Sequence, residues 1–213
     1  MTNLILFSLL ALLPQGNFTS FSFCRDGLGG TGDVQCIQLD PSGQGTFLLT
    51  YADADTLADA DTLDVELQLS TSGTAKFIEL LAETDYLAEA DSYDSGREVL
   101  SLGLKTLKLE GPQGSREAAF YLATPREASE LAAFFDRLII QEMLLLDIES
   151  ALQFDRLGIP ERLDQIERDL GRERLADARR LIPMLERLAA DNRVVNYART
   201  TATRLKEEIE AGN

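Results

Sequence analysis

The chain of 213 residues contains no histidine and no tryptophan. Histidine is the side chain that titrates nearest neutral pH, the commonest metal ligand, and the base of the serine and cysteine catalytic triads. Its absence excludes those sites and leaves paired carboxylates, lysine chemistry and oxygen-ligand metal sites as the catalytic alternatives. The absence of tryptophan weakens a carbohydrate-stacking interpretation.

Basic residues are also scarce, because 20 Lys and Arg stand against 36 Asp and Glu, a formal net charge of -16. A surface this negative repels phosphate backbones and anionic lipid headgroups, so we expect neither nucleic acid nor a membrane surface as a ligand. A protein partner with a basic surface fits the charge better. Solubility is the alternative reason for the excess acid.

The only sustained apolar run of the first residues extends from Leu4 to Leu13. It has the length of a signal-peptide core and is too short to span a bilayer. A small-x-small cleavage pattern follows at Ser20-Phe-Ser22, although no Lys or Arg precedes Arg25. We predict that residues 1–17 are a signal peptide, that the protein is exported to the periplasm or beyond, and that no membrane insertion remains after cleavage. A buried segment of a cytoplasmic protein is the alternative.

The two cysteines, Cys24 and Cys36, lie in segments that alternate apolar and polar residues as half-buried strands do. A glycine-rich turn separates the segments. If that turn is centred near Gly30, the cysteines face each other across a β-hairpin. In an oxidising compartment a disulfide between them would add about 3 kcal/mol of stability. Two buried free thiols in a cytosolic protein are the alternative.

The turn between these strands, Gly27-Leu-Gly-Gly-Thr-Gly32, fits the dinucleotide-binding fingerprint letter for letter. The fingerprint works only where a helix N-terminus follows and receives the pyrophosphate. Here the residues from Asp33 to Leu39 alternate as a strand. We therefore expect a glycine-rich hairpin loop and no cofactor.

The remainder of the first half predicts further strands and one helix. Strands are expected over 46–51, 98–109 and 116–122, a short strand or a lead-in segment over 64–70, and a capped helix over 75–82. The hexapeptide Ala-Asp-Ala-Asp-Thr-Leu occurs twice in succession, at 52–57 and 58–63. The duplication predicts a tolerant surface loop. Its aspartates lack the glycine and glutamate spacing of an EF-hand, so we expect no metal site.

The second half predicts helices. Thr124-Pro-Arg-Glu127 combines an N-cap, a first-turn proline and a capping-box glutamate, and a long helix over 125–153 follows. Three more apolar stripes at helical spacing predict three further helices. The first extends from Pro160 to Leu170, and the second lies near 175–188 and kinks or restarts at Pro183. The third follows Asp191 and Asn192, which are expected to cap it. The predicted fold is therefore α+β: a small antiparallel sheet with one or two helices, followed by a C-terminal helical bundle segment.

Paired carboxylates remain the one catalytic alternative that the composition allows. Glu142 lies on the apolar face of the long helix, where burial would raise its pKa and make it a candidate acid. The structural alternative, which we favour, is that Glu142 lies at the edge of the stripe or pairs with an arginine from a neighbouring helix. We therefore predict no catalytic residue and no enzyme.

The first half resembles the emfourin family, which includes an inhibitor of the thermolysin-like protease protealysin. The likeness rests on Arg25-Asp-Gly-Leu-Gly-Gly30, similar to an Arg-x-Gly-Gly loop of that family, and on the order strand, glycine loop, strand, helix, two strands, helix. The resemblance implies an interaction site at this loop, with Arg25, Asp26, Gly27, Gly29 and Gly30 as the candidate binding residues.

The end of the chain is similar to a HEAT-type helix pair. The likeness lies in Leu181-Ile-Pro-Met-Leu185, Asp191-Asn-Arg-Val194, Ala198 and Leu205. One unit cannot form a solenoid, so the resemblance implies a compact bundle.

These observations predict a domain at 18–157 that includes the long helix and a helical segment at 158–213. Our hypothesis is an exported, non-enzymatic interaction or structural protein with a protein partner. The alternatives are an inhibitor of a thermolysin-like metalloprotease and a carboxylate-based hydrolase.

Overall fold

The computed structural model describes residues 18–26, 33–51, 61–96 and 103–212. The predicted signal peptide, the glycine-rich loop 27–32 and the first copy of the duplicated hexapeptide lie outside the described residues. So do the first residues of the strand that was expected from Glu98.

The first half forms one six-stranded antiparallel sheet with the strand order β4-β3-β2-β1-β5-β6. The strands are β1 (Ser20–Asp26), β2 (Val34–Leu39), β3 (Gln44–Tyr51), β4 (Asp61–Gln68), β5 (Lys105–Gly111) and β6 (Gly114–Phe120). Two helices accompany the sheet, α1 (Thr71–Glu83) and the long α2 (Arg126–Phe154). The α+β prediction is confirmed.

Alternation along the strands decides which face of the sheet is covered. In β1 the side chains of Phe21 and Phe23 are fully buried, whereas Ser22 and Cys24 between and beyond them are only partly buried. The ring of Phe135 on α2 stacks on both phenylalanines, with centroid distances of 4.9 and 5.6 Å. Both helices therefore pack on one face, and the other face, which we call the open face, carries the polar set.

The second half forms two antiparallel helix hairpins, α2 with α3 (Ile159–Leu170) and α4 (Ile182–Ala190) with α5 (Asn196–Ala211). Arg180, just before α4, pairs with Glu142 on α2, and Arg187 pairs with Glu149, seven residues further along both helices. Helices α2 and α4 therefore run parallel. The turn that ends α2 and the turn that ends α4 lie at the same end of the bundle, which we call the tip.

Helix α2 belongs to both halves of the hydrophobic core. Its residues up to Ile139 pack with the sheet and α1, and its residues from Ile148 onward pack with α3, α4 and α5. The covered face of the sheet and the helical bundle are thus built on one continuous helix. The predicted boundary after residue 157 stays a prediction.

Several predicted boundaries were wrong, each for a local reason. The second hexapeptide copy was expected in a loop, but Asp61–Leu63 pairs with Leu49–Tyr51 as the start of β4. Strand β5 begins at Lys105, after Gly103 adopts a φ of +69°. The helix expected from about residue 175 begins only at Ile182, beside Pro183, where one alternative expected a restart. Leu175–Asp177 is not helical.

The predicted helix caps of the second half were also wrong. Helix α2 begins after Pro125 with no side-chain cap. The backbone N–H of Thr124 instead donates to the carbonyl of Tyr93. Helix α5 begins after Val195, while the Asp191 carboxylate accepts from the backbone N–H of Arg193 in the preceding turn. Before α2 a tertiary contact replaced the local cap, whereas before α5 the Asp191 carboxylate is used within its own turn. Among the described residues, no helix combines the length and apolarity needed to cross a bilayer.

Candidate functional site

Arg25, the one cation of the predicted loop site, is held by the protein itself. Its side chain is 11% exposed, donates to the Gln35 side chain at 2.7 Å, and pairs with Asp136 on α2 at 3.2 Å. Lys105 contacts the other oxygen of Asp136. A partner that reached for Arg25 would have to compete with this cluster. Asp26 is exposed at the strand end, and Gly27, Gly29 and Gly30 lie outside the described residues.

The two cysteines lie directly opposite each other on β1 and β2, with a Cα–Cα distance of 4.1 Å, and form a disulfide. Their side chains belong to the open face, since the neighbouring Phe23 and Ile37 point into the core. The hairpin pairing that the sequence predicted is therefore present. The bond fixes the register of the two central strands.

Glu142 is 2% exposed and forms a bidentate ion pair with Arg180, with N–O distances of 2.5 and 2.7 Å. Of the two structural alternatives, a position at the edge of the stripe or pairing with an arginine from a neighbouring helix, the structure shows the pairing: Arg180 lies in the short 3₁₀ segment Ala178–Leu181 just before α4. Both carboxylate oxygens of Glu142 accept hydrogen bonds from the guanidinium. The arrangement therefore gives no support to Glu142 as a catalytic acid.

Two other buried carboxylates are also bound by protein groups. Asp177 accepts from the backbone N–H of Ser70 at 2.6 Å and from its hydroxyl at 2.7 Å. Asp169 accepts from the amide of Gln165 at 2.6 Å. No group of three or more potential ligands that could hold a metal ion occurs within the described ranges. Asp177 and Asp169 therefore make structural hydrogen bonds within the fold.

The sheet has two outer edges, at β6 and at β4. Near the β6 edge, the Arg116 side chain donates to the carbonyl of Tyr86, and the backbone N–H of Ser95 donates to the carbonyl of Leu122 just beyond the strand. The edge at β4 has no neighbouring strand within the described chain. An uncovered edge presents backbone N–H and C=O groups that can pair with another chain.

Arg180 covers only the C-terminal part of the β4 edge. Besides binding Glu142, its guanidinium donates to the carbonyls of Glu66 at 3.2 Å and Gln68 at 3.3 Å. Both carbonyls therefore point away from β3. Because backbone groups alternate sides along a strand, the N–H and C=O of Thr62 and Asp64 point the same way. This N-terminal part of the edge lies beyond the reach of Arg180.

An apolar groove of about 400 Å³ lies beside this edge, between β4, α2 and α4. Its apolar lining comes from Val65, Leu145, Leu146, Pro183 and Met184, and its charged rim comes from Glu142, Glu149, Arg180 and Arg187. The rim charges are paired with one another. On the same side of the sheet, beyond the groove, the apolar side chains of Leu63 and Tyr51 are exposed.

The open-face side of the same strand is acidic. Asp64 and Glu66 are exposed, and neither is in a salt bridge among the described residues. We call the unpaired edge of β4, its acidic side chains and the adjoining groove the β4 site. It joins backbone hydrogen-bonding groups, apolar surface and unbalanced negative charge.

Sequence reasoning missed this site. The alternation Leu63, Val65, Leu67 against Asp64, Glu66, Gln68 marked a half-buried strand. Nothing local to that pattern indicates that the strand lies at an edge, because edge position depends on the pairing of all six strands. The groove likewise depends on α4, which is distant in sequence.

No protein-family model matches this chain, and no curated protein is significantly similar to it in sequence. The resemblances to the emfourin family and to a HEAT-type helix pair therefore stay predictions.

Proposed function

We propose that the protein is a non-catalytic binding protein that holds an extended, basic segment of another polypeptide along the β4 site. The observation that carries this proposal is the N-terminal part of β4, which has no neighbouring strand on its outer side within the described chain and lies next to an apolar groove. Addition of a strand to an exposed sheet edge is a common mode of peptide recognition, in which main-chain hydrogen bonds give affinity and side-chain pockets give specificity.

The backbone of the edge determines how such a segment binds. Thr62 and Asp64 offer outward N–H and C=O groups, and beyond them Arg180 occupies the carbonyls of Glu66 and Gln68. Strand pairing is therefore short and ends at the guanidinium. A short ladder gives little affinity by itself, so the side chains of the bound segment must supply the rest.

The two sides of the edge select those side chains. Alternate residues of an added strand would face the groove side with Val65 and Leu63, and the others would face the acidic side with Asp64 and Glu66. The first set should be apolar, and the second set should be Lys or Arg. A second copy of β4 itself would place aspartates and glutamates beside one another, which opposes pairing between two copies.

A pair of synthetic peptides tests the proposal. The segment acetyl-Lys-Val-Lys-Ile-Lys-Val-Lys-amide should bind the full chain, with a dissociation constant of roughly 10 µM to 1 mM at low salt. The same peptide with glutamate in place of lysine should not bind. Binding is measured by fluorescence anisotropy of labelled peptide at two salt concentrations, and it should weaken as salt rises.

Substitutions on the protein locate the contact. Thr62→Pro removes an outward N–H at an edge position, together with the hydroxyl contact to Thr50, and should abolish binding. The double variant Asp64→Lys/Glu66→Lys should weaken it at least tenfold. Glu117→Lys, on the opposite edge strand β6, makes half that charge change away from the site and should leave the affinity for the same peptide within twofold. Equal binding of both peptides, or normal binding to the Thr62→Pro variant, would show that the proposal is wrong.

A second proposal follows the emfourin resemblance, namely inhibition of a thermolysin-like metalloprotease through the loop that begins at Arg25. The order of elements supports it in part, since β1, the loop, β2, α1, β5, β6 and α2 occur in the order of that family, with two additional strands, β3 and β4, between β2 and α1. Purified protein should reduce thermolysin activity in a dose-dependent way. Undiminished activity at a large molar excess would contradict this second proposal and leave the first untouched.

We also propose that the protein is exported. A disulfide between Cys24 and Cys36 supports this location, because structural disulfides persist in oxidising compartments and are rare in the cytosol. The chain purified from its host should lack residues 1–17 and should lose the bond only after reduction, as measured by N-terminal sequencing and intact mass. An intact N-terminus with two free thiols would contradict export.

A further inference from the structure

The tip of the helical bundle exposes two large apolar side chains on one short turn. Phe154, the last residue of α2, is 83% exposed, and Leu157 is 80% exposed. Single exposed apolar residues are common on protein surfaces, whereas neighbouring ones that form a patch often mark an interaction site. Among the exposed large apolar side chains of the described residues, these two are the most accessible.

Hydrogen bonds and ion pairs hold this turn in place. The Asp155 carboxylate accepts from the backbone N–H of Gly158 at 3.1 Å. Arg162 on α3 reaches both Asp155 and Asp147 on α2. The two apolar side chains are therefore presented on an ordered turn, so little conformational entropy is lost when they are covered.

The turn between α4 and α5 adds to the same surface. Helices α2 and α4 run parallel and in register, which places the end of α4 beside the end of α2. Val195 and Tyr197, at the start of α5, are both exposed there. Hydrogen bonds from Arg193 are the main cause of the lowered pKa of Asp191, and the positive charge of Arg156 lowers that pKa further.

Unlike the chain as a whole, the tip has both signs of charge in balance. Asp191 is paired with Arg193, and Asp155 with Arg162. A chain of net charge -16 repels its own copies over most of its surface. At the tip, an apolar centre is surrounded by charged groups of both signs, so the surface can pair with a second copy of itself. An interface with two-fold symmetry requires a self-complementary surface of this kind.

We infer that the tip is a self-association surface at which two copies of the chain meet through Phe154 and Leu157. This inference does not depend on the β4 site, which lies on the sheet. The four apolar side chains of the tip expose on the order of 500 Å² per copy, so a dimer would bury about 1,000 Å², the lower limit for a specific interface. The dimer is therefore weak, and an anionic membrane is disfavoured as the occupant by the net charge.

Sedimentation velocity of the full chain from about 10 µM to about 1 mM tests the inference. The sedimentation coefficient should rise with concentration, and it should rise further in high salt, which screens the repulsion between copies. The variant Phe154→Ser/Leu157→Ser should stay monomeric throughout. Ile140→Ser removes an apolar side chain that is 50% exposed on the same helix, several turns from the tip, and should associate as the natural chain does.

Three results would overturn the inference. One is a monomer at the highest concentration in high salt. Another is unchanged association of the double variant, whose helical circular dichroism must match that of the natural chain. The third is binding to phosphatidylcholine vesicles that is lost in the double variant, since this would identify a lipid surface as the occupant.

Discussion

The guanidinium of Arg180 forms a bidentate ion pair with the buried carboxylate of Glu142 and also donates to two carbonyls of strand β4. One side chain thus links the helical bundle, the long helix and the edge of the sheet. Removal of one partner from a buried ion pair leaves an uncompensated charge, and the cost is much larger than the net contribution of the intact pair.

We predict that Arg180→Met lowers the free energy of unfolding by about 3–5 kcal/mol, because Glu142 is left buried and unpaired. The double variant Glu142→Leu/Arg180→Met should be less destabilised than the single one. Urea denaturation at neutral pH measures both. Arg187→Met is the matched control: its pair with Glu149 is half exposed and should contribute at most about 1 kcal/mol. If the single and double Arg180 variants lose equal stability, the charge argument is wrong.

Asp177 and Gly73 provide a second prediction. Asp177 binds both the N–H and the hydroxyl of Ser70, the N-cap of α1, and a Cβ at Gly73 would lie 2.3 Å from its carboxylate oxygen. Alanine normally stabilises a helix interior over glycine by about 1 kcal/mol. Here we expect Gly73→Ala to destabilise the protein, because the carboxylate must move.

The control for Gly73 is Gly171→Ala, where the added Cβ would meet its nearest heavy atom, the Glu167 carbonyl oxygen, at an ordinary 3.5 Å. This variant should be neutral or slightly stabilising in thermal denaturation. An Asp177→Asn change in the Gly73→Ala background should cost less than it does alone, because the two substitutions disturb one contact. Additive costs would contradict the shared mechanism.

The disulfide gives a third prediction. Cys24 and Cys36 are 12 residues apart, so the bond closes a short loop of the unfolded chain. Reduction should lower the free energy of unfolding by about 3 kcal/mol. The measurement is denaturation with and without dithiothreitol. A Cys24→Ala/Cys36→Ala variant should resemble the reduced protein and show no response to the reductant.

Tyr93 gives a pH prediction. Its ring is buried against the sheet core, its hydroxyl donates to the carbonyl of Thr84, and burial raises its pKa above the usual value of 10.0. The folded state then holds the phenolic proton more tightly than the unfolded state. The stability contributed by this group is complete below pH 10 and is lost as the pH rises through the folded pKa.

Comparison of the natural chain with Tyr93→Phe isolates this effect. The difference in unfolding free energy between the two should be constant from pH 7 to about 9 and should shrink or reverse sign above about pH 10. Denaturation curves at each pH measure it. A difference that does not change with pH would indicate that the phenol ionises freely in the folded state.

The sequence by itself determined most of the secondary structure. Alternation at Phe21 and Phe23 assigned β1 and its buried face, and the stripe through Leu131, Phe135 and Leu138 assigned α2, because periodicity is a local property of the chain. The hairpin that brings Cys24 opposite Cys36 followed from the same alternation and one turn. The absence of histidine is a property of composition alone, and it limits the chemistry that the chain can perform however it folds.

Only the tertiary structure decided which groups are free and which are bound. In the tertiary structure Arg25 pairs with Asp136, Glu142 pairs with Arg180, β4 lies at an edge of the sheet, and helices α2 and α4 end at the same end of the bundle. These relationships join residues far apart in sequence. They depend on how the sheet order and the two helix hairpins pack, which is a property of the whole core and has no local pattern.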